Sequence, residues 1–326
     1  MNLDLAALQN IGPDRQIALL FIILFGLLTI VSIVVGLRSI TRDDDERFVR
    51  EKQLRRDVRA VWIGAVAFWV AWMSGPLGAT LAFGVFSFLA LREFITLAHT
   101  RRGDHRSLIL AFFIVLPLQY ALVWHREFNL FTVFIPVYVF LAIPVVSALG
   151  NDPQRFLERN AKLQWGIMVC VYGMSHVPAL LLLQFRGFEG RMAFLLVFLV
   201  LVVQTCMLVQ HMVARQLDRP VAPAISESFQ WRSWAAGLVA GGLLGAVLAG
   251  LTPFKPGRAL AMALIACAAG SLGHLVMKAI KRDRGVTHWG AAGRSVTGAS
   301  GVLDRVDALC FAAPVFFHSV RWTFDL

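Results

Sequence analysis

The chain has 326 residues, of which 58% are hydrophobic and only 16% are charged, and its mean hydropathy is +0.68. A soluble domain carries about 25% charged residues, so this composition excludes an ordinary soluble enzyme and indicates a multi-pass membrane protein. The net charge of +11 would suit nucleic acid. In a membrane protein, however, Lys and Arg beside the spans set orientation and meet anionic headgroups, so we expect membrane lipid and no nucleic acid as partner.

The first apolar run, residues 17–37, is long enough to cross a bilayer and too long for the apolar core of a signal peptide. It follows a segment with no basic start and no small-residue cleavage site, so we expect a retained transmembrane helix. Further runs of this kind predict an all-α bundle of about ten transmembrane helices. The predicted spans are 17–37, 60–75, 77–91, 107–124, 129–149, 163–185, 192–214, 234–254, 259–278 and 308–322.

The second and third spans are short and meet at MSGPLG, where Pro76 between two glycines predicts a helix break. Two separate helices in a hairpin, rather than one bent helix, place most Lys and Arg residues on one side of the membrane. The basic loops are then 38–59, 92–106, 150–162, 215–233 and 279–307. The positive-inside rule therefore predicts that these loops face the cytoplasm of a bacterial inner membrane and that both termini face out.

The charge-rich segment 38–59 is predicted to be a solvated connector, with an interfacial helix as the alternative. We therefore expect two regions: an N-terminal helix with its cytoplasmic connector (1–59) and a membrane domain (60–326). We expect His176 and His211, which lie in or at the end of apolar runs, to be hydrogen-bonded packing residues. The four cysteines show no CxxC spacing, so we expect small apolar fillers rather than a zinc site or disulfides. They are Cys170, Cys206, Cys267 and Cys310.

The stretch SGVLDRVDALCFAAPVFF, residues 300–317, places two carboxylates at the start of an apolar helix. Asp304 and Asp307 are three residues apart and therefore share one side of a helix. Hard oxygen ligands in this arrangement suit Mg²⁺, and Arg305 between them could pair with a phosphate. Lys281 and Arg282 add positive charge, and glycines including Gly298 and Gly301 allow close backbone approach to a ligand. On spacing alone, an ordinary charged helix start remains the alternative.

The same stretch resembles the signature of the phosphatidate cytidylyltransferase (CDP-diacylglycerol synthase) family. An upstream segment, APAISESFQWRSWAAGLVAGGLLGAVLAG (222–250), resembles a second family block, and ALREFITLA (90–98) resembles a weaker one. The resemblance covers roughly residues 60–326. The matching residues in the C-terminal block are, in order, Ser271, Gly273, Lys281, Arg282, Gly285, Gly298, Gly301, Leu303, Asp304, Arg305 and Asp307.

The resemblance implies transfer of CMP from CTP to phosphatidic acid, giving CDP-diacylglycerol and pyrophosphate. It implies that Asp304 and Asp307 hold Mg²⁺, with a second cation as a further expectation. Lys281, Arg282 and Arg305 would hold phosphates, and Ser226 and Ser271 would donate hydrogen bonds in the nucleotide site. A homodimer is also implied.

The chain departs from the family pattern mainly at polar and charged positions. The family's aspartate after Gly273 is His274 here, its Lys-Asp pair is Thr287-His288, and further changes fall at Gln204, Ala224, Phe229-Gln230 and Ala299. His274 and His288 would act as metal ligands or a proton relay, or they are tolerated replacements, which is the interpretation we favour. The main alternative to an enzyme is therefore a catalytically silent paralogue that binds lipid or partners a phospholipid enzyme. A transporter is less favoured, because neither midplane charges nor inverted repeats stand out.

Overall fold

The computed structural model contains ten helices within the residues it describes. Those residues are 13–40, 58–59, 61–66, 68–97, 100–184, 187–217, 220–226, 229–286, 288–289 and 301–325. The helices are α1 (Pro13–Ile40), α2 (Val61–Met73), α3 (Gly75–Thr96), α4 (Arg102–Trp124), α5 (Phe128–Ala148), α6 (Phe156–Leu182), α7 (Met192–Ala214), α8 (Trp231–Leu251), α9 (Pro256–Asp283) and α10 (Leu303–Phe324). The predicted all-α bundle is confirmed. Most of the predicted connector 38–59, and Gly298, lie outside the described residues.

Eight helices, α1 and α3 to α9, are long and apolar enough to cross a membrane. α2 is apolar but shorter. α10 is not among the eight, although a span was predicted there. One side of it is nevertheless packed against protein, since Phe316, Phe317 and Val320 are fully buried, while Val315 and Trp322 on the remaining surface are exposed.

The predicted break near Pro76 occurs at Gly75, which adopts a φ of +69° between α2 and α3. A positive φ ends a right-handed helix, and glycine adopts it without steric cost. The preceding pair, α1 and α2, is antiparallel. Phe21 packs on Trp72 while Phe25, one turn later, packs on Trp62, ten residues earlier in α2.

Close helix packing brings α7, α8, α9 and α10 together. On α8, Gly237, Gly241 and Gly245 recur every fourth residue, and a Cβ on any of them would overlap atoms of α7 or α9. Small residues at this spacing let membrane helices approach closely. On α9, the space beside Gly273 is filled by the ring of Phe311 from α10. The residues next to Gly273 are therefore held against the first turns of α10.

Alternate loops meet at the same end of the bundle, as the predicted hairpin requires. At one end, Arg101 lies 4.0 Å from Asp152, and the ring of Phe94 stacks on Trp289. At the other end, Arg321 Nη2 donates to Asn129 Oδ1 (3.0 Å), and the rings of Phe254 and Phe324 are 5.8 Å apart. The first end is the one with the basic loops, and its cytoplasmic location remains a prediction.

Several helices begin before the apolar runs that predicted them, and in α6 the early turn is polar and satisfied by protein contacts. α6 starts at Phe156, seven residues before the predicted 163, and buries Arg159 in its second turn. Arg159 Nε lies 3.0 Å from Asp104, and its Nη2 donates to the carbonyl of Asp152 (2.8 Å). This ion-pair cluster joins α4 and α6 to the loop between α5 and α6. The four cysteines are buried, as expected of small apolar fillers.

Candidate functional site

The start of α10 and the end of α9 are joined by an ion pair. Lys281 Nζ donates to Asp304 Oδ1 at 2.7 Å, and both side chains are largely buried. The second oxygen, Asp304 Oδ2, accepts the backbone N–H of Trp289 at 2.8 Å, with His288 Nδ1 3.8 Å away. Asp304 therefore fixes both the end of α9 and the residues that follow it.

A buried glutamate from a distant part of the chain accepts hydrogen bonds from the first turn of α10. Glu93, three residues before the end of α3, accepts the N–H groups of Val302 and Leu303, each at 3.0 Å. The first N–H groups of a helix have no partner within the helix and carry partial positive charge, so a carboxylate there is favourable. Gly301 packs so closely against Glu93 and the Trp289 carbonyl that a Cβ would overlap them. Gly301 was predicted to let the backbone approach a ligand closely, whereas in the structure its close neighbours are protein atoms.

A second pair lies one turn further along. His274 Nδ1 is 2.8 Å from Asp307 Oδ2, and Asp307 Oδ1 accepts the N–H of Ala308 at 2.7 Å. The Asp307 side chain is only 5% exposed. His274, Lys278 and Lys281 are spaced four and three residues apart, so they form one polar stripe along the apolar helix α9.

A cavity of about 150 Å³ lies beside this stripe, between α7 and α9 and under the segment 220–226. Lys278 Nζ lies 3.3 Å from Ser226 Oγ at one side of it. Ser271 Oγ donates to the Cys267 carbonyl (2.6 Å) and accepts from Trp234 Nε1 (2.9 Å). The lining residues are Met207, Gln210, His211, Ser226, Phe229, Ser271, His274, Leu275 and Lys278.

The predicted site residues thus fall into two adjoining groups. Ser226 and Ser271 line the cavity, and Asp307 lies behind it through His274. Asp304 and Lys281 form the ion pair, while Arg282 and Arg305 are exposed near the same end of the bundle. Their roles toward a substrate remain predictions.

Sequence reasoning gave neither Glu93 nor Lys278 a role in the site. The stretch ALREFITLA contains Glu93, and a lone carboxylate inside an apolar run was the available signal. The expectation for His211 was wrong, because its side chain is exposed and lines the cavity. The expectation for His176 is confirmed: it is buried, and its Nδ1 bonds the Tyr172 carbonyl at 2.7 Å.

The side chains of Asp304 and Asp307 are the predicted ligands of a resident Mg²⁺ ion. Each of the four oxygens of Asp304 and Asp307 is engaged by a protein hydrogen bond. No group of three His, Cys, Asp or Glu side chains that could hold a metal occurs in the described part of the chain. Mg²⁺ requires near-octahedral oxygen ligation. These residues, in this arrangement, do not fit a resident ion.

Comparison with known families matches residues 54–323 to the cytidylyltransferase family. The chain is also similar to the uncharacterized protein YnbB of Escherichia coli (strain K12). The two are 33% identical over 267 residues, which is 80% of this chain and 85% of that protein. The family match spans α3, α9 and α10.

Proposed function

Because the chain belongs to the cytidylyltransferase family, we propose that it transfers CMP from CTP to phosphatidic acid, giving CDP-diacylglycerol and pyrophosphate. The observation that carries the proposal is the paired arrangement of Lys281–Asp304 and His274–Asp307 beside a polar cavity, at the end of the bundle with the basic loops. That end would face the cytoplasm of a bacterial inner membrane, where CTP is available.

In this reaction an oxygen of the lipid phosphate attacks the α-phosphorus of CTP. A bond forms between that oxygen and phosphorus, the bond to the β-phosphate breaks, and pyrophosphate leaves with the electron pair. A phosphate nucleophile needs no strong base, so catalysis consists mainly of positioning and charge neutralisation. No step requires a covalent enzyme intermediate.

The chain's own residues would supply that positioning. Arg282 and Arg305, exposed beside the Lys281–Asp304 pair, would contact the triphosphate. Lys281 holds Asp304 in place, and His274 does the same for Asp307. Mg²⁺ would enter with CTP, as part of the nucleotide substrate. A homodimer remains an expectation.

A second candidate is a catalytically silent paralogue that binds lipid. One observation favours it: protein donors already occupy the carboxylates that the resemblance assigns to metal. The experiment below separates the two candidates.

The test is pyrophosphate release by the purified protein with CTP, phosphatidic acid and Mg²⁺ in detergent. We expect release by the wild type and a loss of about 100-fold in Asp304→Asn and Asp307→Asn, since these carboxylates fix the ends of α9 and α10 at the site and a misplacement of about 1 Å can cost about 10²-fold in rate. Asp325→Asn is the matched control. It lies at the other end of the bundle with a φ of 52°, which asparagine tolerates. Folded wild-type protein that binds lipid but releases no pyrophosphate would favour the silent paralogue.

A further inference from the structure

The two carboxylates at the start of α10 are bound by hydrogen-bond donors from α9. Lys281 Nζ lies 2.7 Å from Asp304 Oδ1, and His274 Nδ1 lies 2.8 Å from Asp307 Oδ2. We infer that Lys281 and His274 replace a resident divalent cation, so that Asp304 and Asp307 hold α9 and α10 together without bound metal. The inference rests on the proposed function for the identity of the site, and it goes further by assigning His274 and Lys281 the exclusion of a permanently bound ion.

The Lys281–Asp304 pair is enclosed by protein, and its charges balance. The two side chains are 11% and 8% exposed. Removing one partner of such a pair leaves the other charge buried and uncompensated, which is strongly destabilising. A divalent ion at the same carboxylate would lie close to the ammonium group, and like charges repel strongly where water is excluded. The second oxygen of Asp304 accepts the N–H of Trp289 at 2.8 Å. Protein donors therefore bind Asp304 on both oxygens.

The His274–Asp307 pair shows why the residue type at position 274 matters. The resemblance to the family pattern places an aspartate at this position, where the chain has histidine. Two carboxylates 2.8 Å apart, the distance seen here, would repel each other and require a shared proton or a cation. The imidazole N–H donates to Asp307 instead, so no cation is required. Because the Asp307 side chain is only 5% exposed, water screens this difference little.

Close helix packing keeps position 274 opposite Asp307 whichever side chain is present. A Cβ added at the neighbouring Gly273 would lie 2.2 Å from the ring of Phe311 on α10. This contact sets the distance between α9 and α10 at that turn. The carboxylate oxygens of an aspartate are as many bonds from the backbone as Nδ1 of a histidine. An aspartate at position 274 would therefore bring a carboxylate within reach of Asp307.

The nearby groups do not complete a metal site either. Glu93 Oε1 and Oε2 accept the N–H groups of Val302 and Leu303, each at 3.0 Å. His274 offers a metal only Nε2, because its Nδ1 bonds Asp307. In the part of the chain that the structure describes, no three His, Cys, Asp or Glu side chains form a group that could hold a metal. Among those residues, neither Mg²⁺ nor Zn²⁺ finds the ligand set that it requires.

The experiment measures Mn²⁺ binding to the purified full chain in detergent, without nucleotide or lipid substrate, from the electron paramagnetic resonance signal of free Mn²⁺. Mn²⁺ prefers the same oxygen ligands as Mg²⁺. We expect the wild type to bind no more Mn²⁺ than Asp307→Asn does. His274→Asp should bind Mn²⁺ at least about tenfold more tightly than the wild type, because affinity for hard cations depends on the charge of the ligands. His274→Asn has the same shape without the charge and should show no gain.

A second variant tests the other pair and serves if His274→Asp does not fold. Lys281→Gln should also raise the Mn²⁺ affinity, because it leaves Asp304 without its ammonium partner. Lys162→Gln is the matched control, since it removes a positive charge that pairs with Glu158 on α6. Thermal unfolding gives an independent readout. Mn²⁺ should raise the unfolding temperature of His274→Asp and Lys281→Gln but not that of the wild type or Lys162→Gln, since a ligand stabilises only a folded protein that binds it.

Three results would overturn the inference. The first is Mn²⁺ binding by the wild type that Asp307→Asn abolishes, because the site would then hold its own ion. The second is Zn²⁺ binding by the wild type that His274→Gln abolishes. The third is the absence of any gain in both His274→Asp and Lys281→Gln, because these side chains would then not be what excludes the ion.

Pyrophosphate release measured in parallel keeps the two proposals separate. The expected Mn²⁺ results without any pyrophosphate release from CTP would refute the proposed function and leave the inference intact. Turnover by a wild-type protein that binds Mn²⁺ in a site dependent on Asp307 would refute the inference and leave the function intact.

Discussion

Glu93 is a buried carboxylate on α3 that accepts hydrogen bonds from the start of another helix, α10. It is 4% exposed and accepts two backbone N–H groups at the start of α10. Asp304 follows directly on α10, so the position of Glu93 determines where Asp304 lies. Glu93 is therefore a positioning residue for the proposed reaction.

We predict that Glu93→Gln lowers both stability and turnover. A glutamine amide places an N–H₂ group where the glutamate accepted a backbone N–H, and leaving such a buried donor unsatisfied costs about 1–3 kcal/mol. The measurements are thermal unfolding and the rate of pyrophosphate release. We expect kcat to fall while the KM for CTP changes little. Glu127→Gln, at the opposite end of the bundle, is the control. A Glu93→Gln protein with wild-type stability would contradict the role assigned here.

Asp152 provides a pH-dependent contribution to stability. The hydrogen bond from Arg159 lowers the pKa of this carboxyl below its usual value. A folded-state pKa that is depressed in this way stabilises the fold above the unfolded-state pKa, and this contribution is lost as the pH falls through the folded-state value. We expect the difference in unfolding temperature between wild type and Asp152→Asn to be largest near pH 7 and to shrink in acid. A difference that stays constant with pH would contradict this prediction.

At the scale of the elements, α8 packs through glycines. A Cβ at Gly241 would overlap the sulfur of Cys267 on α9 and approach the Val202 carbonyl to 3.0 Å. Overpacking of a close interface typically costs about 1–3 kcal/mol.

We therefore predict that Gly241→Ala destabilises the bundle by about this amount, measured by thermal or denaturant unfolding in detergent. Gly257→Ala is the matched control, since nothing lies within 4 Å of its added Cβ. There the better helix propensity of alanine should leave stability unchanged or raise it by up to about 1 kcal/mol. Equal effects at the two positions would argue against close packing of α8.

The elements also show what the sequence could and could not predict. Long apolar runs predicted the spanning helices because lipid demands that surface at every turn. The start of α6 escaped prediction because Arg159 is buried with acidic partners from α4 and the loop after α5, which no local pattern reveals. The cavity escaped for the same reason. Ser226 and Lys278 are 52 residues apart, and no local sequence pattern shows that the fold brings them together.

At the scale of the whole molecule, the placement of the basic loops at one end of the bundle predicts its orientation in the membrane. The basic loops share the end that contains the candidate site, so we expect that end to face the cytoplasm. The native cysteines are buried and should give little background to a membrane-impermeant thiol reagent.

A cysteine introduced at Thr100 should therefore react only after cells are permeabilised, and one introduced at Glu127 should react in intact cells. Wild-type protein is the control for background. The reverse pattern would place the candidate site on the outer face and, with it, contradict the use of cytoplasmic CTP.

The bond between Glu93 and α10 has a consequence for biogenesis. Glu93 and Val302 are 209 residues apart, so the ribosome delivers the carboxylate long before its partner. Until α10 is inserted, the Glu93 carboxylate must be hydrated, lie at the lipid boundary or bind another donor, since a buried unsatisfied carboxylate is costly. Insertion of α10 then supplies the backbone N–H groups that bind the Glu93 carboxylate, and it completes the site. Nascent chains that stop before Leu303 should carry an exposed acidic position in α3, a feature by which membrane quality control would recognise them as unfinished.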